Sequence, residues 1–186
     1  MDYIAKSKQL SFCLNDVSSK ANGSLIQPFE FFGFMKPRMW EQYAQNYMGV
    51  CLVFSKEKLV ENCIFLFSDV KYLTYNKLLN NSNCLLTDRI NQIGSEQYFE
   101  DYKEIIEKKS FWKHQDYSGE NEFRFMSFSE NKFDYITNID ACIKGIIISS
   151  FANEYSQKKL KSIAIRLKIP IFRINWSSLG ISIDPL

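Results

Sequence analysis

Lys36–Phe54 reads KPRMWEQYAQNYMGVCLVF and condenses a helix, a helix stop and a strand into one short block. Pro37 suits a first helical turn, where its missing N–H costs nothing. Trp40, Tyr43, Ala44 and Tyr47 follow at i, i+3, i+4 and i+7, the spacing of one helical face. Gly49 stands where a left-handed C′ glycine would end the helix. Val50–Phe54 is almost wholly apolar, which predicts a strand covered on both faces.

Outward from this block the pattern keeps alternating between the two periods. Gln9–Leu14 reads as a first strand, and residues 15–36 as a long irregular loop with Asn-Gly and Pro punctuation. Cys63–Tyr72 predicts a strand, Asn76–Gly94 a loop leading into a helix, and Glu96–Lys109 an amphipathic helix with Tyr98, Tyr102, Ile105 and Ile106 on one face. Glu120–Phe128 alternates as a strand does. Cys142–Ser149 is another buried strand, in which Gly145 permits a bulge or a close backbone approach. Asn153 can cap a helix running to Leu167, and Ile171–Trp176 follows as a strand. Strands interspersed with helices predict an α+β fold, with a single mixed sheet of about five to seven strands and about three helices. One globular domain over residues 1–186 is expected.

Bulk properties narrow the function. The net charge is +2, and opposite charges are interspersed, which argues against an extended polybasic surface but leaves room for a local basic patch. Aromatic residues reach 16%, an unusual supply for a pocket or core. The cysteines Cys13, Cys51, Cys63, Cys84 and Cys142 form no CxxC pair, and His114 is the one histidine, so no metal site is expected. With no secretory h-region and no apolar run long enough for a bilayer, a cytoplasmic protein without membrane contact is expected. No Gly-rich phosphate loop, GxSxG or HExxH is present, which removes the P-loop, serine-hydrolase and zinc-protease readings.

Two constellations could carry chemistry. Trp40 and Tyr43 are read first as core, but each has a polar handle that needs a partner when buried, so a pocket rim is the second reading. Arg38, in the first turn of that helix, opposes the helix dipole and could face an anion. Glu120, Glu122 and Arg124 alternate along one predicted strand and would share a face. A solvated strand face accounts for them. Alternatively, carboxylates set against Trp112 and Tyr117 would be desolvated, raised in pKa and usable as general acid or base. His114 lies just upstream, as an ordinary surface residue or as a binding group.

Together the blocks resemble a prokaryotic family of unknown function, DUF 2971. The resemblance rests on Met39, Trp40, Tyr43, Ala44, Gly49, Val50, Cys51 and Phe54, then on Trp112, Glu120, Glu122, Arg124 and the apolar strand around Gly145. Family members usually begin with a longer portion holding an FNDPFE-like segment. Here QPFEF at Gln27–Phe31 is a faint echo of it, and a second chain could complete that part. QDYSG also stretches the interval between Trp112 and Glu120. The family carries no settled activity, and its members often look like parts of phage-defence or toxin-like systems.

Glu-x-Glu beside aromatics also resembles the catalytic strand of ADP-ribosyltransferases, where a glutamate holds the nicotinamide ribose. That resemblance implies Glu122 as catalytic carboxylate and Glu120 as its assistant. Arg124, Arg38 and His114 would bind substrate, with Trp40 and Tyr43 stacking on a base or nicotinamide. NAD would be a substrate, and a nucleotide or nucleic acid the partner. The opposing expectation is a non-catalytic protein-interaction module, in which Glu120, Glu122 and Arg124 pair structurally with Arg38 and Lys113.

Overall fold

The computed structural model describes residues 7–14, 16–17, 30–31, 33–63, 65–80, 87–128, 138–178 and 180–186. In chain order the elements are β1 (Lys8–Cys13), β2 (Asp16–Val17), β3 (Glu30–Phe31), a 3-10 turn at Gly33–Met35, α1 (Pro37–Tyr43), β4 (Val50–Phe54) and α2 (Lys56–Glu61). Then come β5 (Leu66–Asp69), β6 (Lys71–Leu73), α3 (Tyr75–Asn80), α4 (Thr87–Ile93), α5 (Ser95–Lys109), β7 (Trp112–His114) and a second 3-10 segment at Gln115–Glu120. The chain closes with β8 (Glu122–Ser127), α6 (Ile139–Cys142), β9 (Ile143–Ser149), α7 (Glu154–Leu167), β10 (Ile171–Ser177) and β11 (Gly180–Pro185). The α+β class is as expected, but the strands are shared among several sheets rather than gathered into one. Two compact units divide the chain: Met1–Leu14 with Phe65–Glu130, and Asn15–Ile64 with Asn131–Leu186.

In the first unit β8 is the middle of an antiparallel sheet ordered β1-β8-β5. Every residue of β8 is buried, because strands flank both its edges and side chains cover both its faces. Phe123 and Phe125 claim one face at 4% and 1% exposure, while Phe12 and Phe67 pack edge-on or tilted against Phe125 at 5.8 Å. A parallel pair, β6 with β7, places Tyr72 opposite Lys113. On α5, Tyr98 is buried and stacks on Tyr102 at 4.3 Å, the face expected from the spacing, although Ile105 is exposed. The strand expected over Cys63–Tyr72 is broken: pairing starts at Leu66, and Val70 separates β5 from β6. The expected loop over Asn76–Gly94 instead contains most of α3 and all of α4.

The second unit holds a mixed sheet ordered β11-β10-β9-β4, with β9 and β10 parallel and the other pairs antiparallel. Such a parallel pair needs a crossover, and α7 supplies it. Asn153 caps α7 as expected, its side-chain oxygen accepting from the Ser156 N–H at 2.8 Å. One core gathers Ile146, Ala164 and Ile171. A second gathers Trp40, Ala44, Ile147 and Ile174. Both expectations for Gly145 hold: β4 slips register beside it, and a Cβ there would stand 3.2 Å from the Pro170 carbonyl oxygen.

The block that opened the sequence reading needs three corrections. First, α1 stops at Tyr43, after which Gln45, Asn46 and Tyr47 adopt left-handed φ values of 48°, 52° and 68°. That costly run turns Tyr47 back, so that its N–H donates to the Trp40 carbonyl at 3.1 Å. Second, Gly49 serves by its size rather than by a left-handed φ: an added Cβ would meet Ala44 Cα and Cβ at 2.9 Å. Third, β4 neighbours only β9 in its sheet, and Val50 and Leu52 are 41% and 48% exposed. The apolar run is a strand, but not one covered on both faces. Of the expected 15–36 loop, residues 15, 18–29 and 32 lie outside the described residues, and Asp16–Val17 pairs with Glu30–Phe31. Among the described residues, no helix is long and apolar enough to cross a membrane.

Candidate functional site

The first unit assembles a charged cluster around Glu122. Its local cause is Asn121, held at φ 46° between the 3-10 segment and β8. Asn tolerates that left-handed geometry better than most residues, and the turn carries Glu120 off the strand. The expectation that Glu120, Glu122 and Arg124 lie on one strand is therefore corrected: β8 begins at Glu122. The two carboxylates converge all the same, because Lys113 Nζ donates to Glu120 Oε2 at 2.6 Å and to Glu122 Oε2 at 3.3 Å.

Arg124 completes the cluster. Its Nε donates to Glu122 Oε1 at 2.6 Å and one terminal nitrogen to Oε2 at 2.9 Å, a bidentate pair of the strong kind. The other terminal nitrogen donates to the Ser110 carbonyl at 2.6 Å. The Tyr72 hydroxyl accepts the Glu122 backbone N–H at 2.8 Å, and Cys13 Sγ donates to the Glu120 carbonyl at 2.7 Å. Glu120, Glu122 and Arg124 are only 3%, 5% and 8% exposed. Lys113 is the member nearest solvent, and its Nζ sits 4.7 Å from the centre of the Tyr117 ring.

Burial pushes the Glu122 carboxyl up. Hydrogen bonds from Arg124 and Ser11, with the Arg124 and Lys113 charges, outweigh that and hold it below the usual carboxylate range. This reverses the raised pKa expected from desolvation by aromatics. Burial lowers Lys113, but hydrogen bonding to Glu120 and the charges of Glu122 and Glu120 more than compensate and raise it. Burial also raises Tyr72, reinforced by the nearby Glu122 and Glu120 charges. At neutral pH Glu122 is an occupied carboxylate anion with cationic donors on both oxygens.

The remaining expected residues separate into two groups. His114 belongs to the same unit, half-buried on β7; its Nδ1 accepts from the Asp116 N–H at 3.4 Å, and its ring meets Tyr75 edge-on at 6.4 Å. Arg38, Trp40 and Tyr43 belong to the other unit. Trp40 is core, 2% exposed, and its Nε1 donates to the Phe34 carbonyl at 2.6 Å, so its polar handle is satisfied by backbone. Tyr43 is 64% exposed, and Arg38 is exposed on the first turn of α1. Among the described residues, no cluster of three or more His, Cys, Asp or Glu could hold a metal ion.

Sequence reasoning missed Tyr72, Ser110, Ser11 and Cys13 as partners of the cluster. Three of them act through a hydroxyl, a thiol or a hydrogen bond over long sequence separation, and Ser110 acts through its backbone carbonyl. No local pattern marks such roles. Lys113 was named from the sequence as a pairing partner of these carboxylates, and it donates to both.

Comparison with known families gives one match. The family model described as a protein of unknown function, DUF2971, covers residues 39–125, a span holding both Trp40 and the charged cluster. No curated protein and no solved structure matches the chain.

Proposed function

We propose that this chain, whose residues 39–125 match the family model DUF2971, described only as of unknown function, is a non-catalytic protein-interaction module whose charged cluster is structural. One observation carries this reading: each oxygen of Glu122 is already held by a cationic donor inside a buried, hydrogen-bonded network. A general base or a ribose-binding carboxylate needs a lone pair open to substrate, and here substrate would first have to displace Arg124 or Lys113. Removing one partner from such a network is costly, because it strands a buried charge. We place this module in the bacterial cytoplasm, in keeping with its four described cysteines, which are all thiols.

A competing reading is a defence- or toxin-type enzyme acting on a nucleotide or nucleic acid, with Glu122 and Glu120 catalytic and NAD as a substrate. One observation favours it. Lys113 brings the cluster towards solvent beside Tyr117, which is 39% exposed, so an anion could compete for its ammonium.

Expression of wild type and Glu122→Gln in bacteria, with melting curves of both purified proteins, separates the two. The structural reading expects a clearly lowered melting temperature and no growth difference between the two strains. Growth inhibition by wild type that disappears in a variant of unchanged stability would sink it. Millimolar NAD is expected to leave both the tryptophan fluorescence and the melting temperature of wild type unchanged.

A further inference from the structure

The second unit carries a feature that the charged cluster does not explain. On α7 and its C-cap stand Lys158, Lys159, Lys161, Arg166 and Lys168, against the single carboxylate of Glu154, which is taken by Lys158 at 2.8 Å. The whole chain has a net charge of only +2, so this helix concentrates positive charge well beyond the average. Its inner face, with Leu160 and Ala164, is used by the core. The cations are therefore on the outer face, and Ile165 stands among them at 71% exposure. A large aliphatic side chain left in water between lysines is not required by the fold.

Beside Ile165 the surface forms a recess of about 330 Å³, with Lys161 and Lys168 on its helix side and Ile169, Ile171 and Leu186 among its apolar walls. The two lysines are seven positions apart, or roughly 10 Å along the helix axis. The recess thus combines a largely apolar lining, with room for an anchoring side chain, and two cations, one on the helix and one at its C-cap. Anchors buried in such pockets dominate interface energetics, while complementary charges at the rim set partner choice and association rate.

We propose that this face of α7 docks an acidic peptide segment of a partner protein, seating one apolar side chain in the recess and placing carboxylates against Lys161 and Lys168. The proposal rests on the interaction-module reading and names its partner's chemistry. A nucleic acid is disfavoured by the walls, in which Phe172 is the single aromatic residue among aliphatic ones; base recognition relies on several stacked aromatics or on polar groups at the base edge.

The test measures fluorescence anisotropy of the full chain with a labelled peptide of sequence EELLEELFEE at 50 mM salt. Saturable binding is expected. It should weaken at least tenfold in Lys161→Glu and severalfold in Lys168→Asn, which removes charge while keeping a residue suited to the left-handed cap at φ 55°. Replacing the peptide's Leu and Phe with Ser should abolish binding. Because Ile165 is exposed, Ile165→Asp should keep the fold and lose the peptide. Absence of binding, equal affinity for Lys161→Glu, or tighter binding of a dT20 oligonucleotide that displaces the peptide would each overturn the proposal. The Glu122→Gln experiment reads the other unit, so failure here leaves that result standing on its own.

Discussion

Arg124 grips Glu122 from two residues along the same strand, with two hydrogen bonds of 2.6 and 2.9 Å to the two carboxylate oxygens. Neighbours at that spacing share a strand face, and here the face is buried, so neither charge can turn to water. Glu122→Gln keeps the volume but removes the anion, stranding Arg124. A loss of roughly 3 kcal/mol in unfolding free energy is expected, measured by urea denaturation. Arg124→Gln should cost about as much, and the double variant clearly less than the two singles added together. Additive losses would mean that the pair does not act as a unit.

The same cluster makes stability depend on pH with a defined sign. Glu122 has a lowered folded-state pKa, so its contribution is present above the ordinary glutamate value, about 4.3, and is lost as pH falls through the lowered one. Lys113 has a raised pKa; its contribution is present below about 10.4 and is lost as pH rises through the raised value. The melting-temperature deficit of Glu122→Gln relative to wild type should therefore be full at pH 7 and shrink below about pH 4. A deficit that stays constant down to pH 3 would contradict the assignment.

Trp40 donates to the Phe34 carbonyl while its ring meets Trp176 at 6.0 Å. Trp40→Phe deletes the donor, leaves that carbonyl without it and opens space beside Trp176. A loss of about 2 kcal/mol is expected. If Trp40 instead mattered only for stacking on a ligand, the variant would melt with wild type.

Gly49→Ala would place a methyl 2.9 Å from the Cα and Cβ of Ala44, where backbone has to move. Overpacking of this kind costs about 1–3 kcal/mol, and thermal melts read it directly. Ala44→Gly in the same chain should return part of that loss, because it removes one of the two clashing atoms.

Periodicity revealed much of this architecture. The α7 cap, the aromatic face of α5 and the dual part played by Gly145 all follow from short-range chemistry that a sequence displays. It failed where one backbone angle or one distant contact decides. Nothing in QNYMG marks three successive left-handed residues, and a glycine needed for its size looks the same as one needed for its φ. Asn121 likewise moves Glu120 off β8 without disturbing the apolar alternation that predicted a longer strand. The candidate residues were largely legible, but not their occupancy. Pairing with Lys113 was foreseen, but Ser11 on the carboxylate and Tyr72 on the Glu122 backbone N–H are brought from other strands, and no local pattern announces them.

The chain visits its two compact units alternately, crossing after Leu14, after Ile64 and after Glu130. The stretch that matches the family model, 39–125, starts inside one and ends inside the other. Excised at those borders, β8 would be cut short and left without β1, and β4 without β9, its neighbour in the sheet. The matched stretch thus draws on both units rather than forming a separable piece. Expressed alone, residues 39–125 should give a poorly dispersed amide spectrum, and adding the flanking segments in trans should restore dispersion. Protein engineers grafting this region would need to carry both ends of the chain with it.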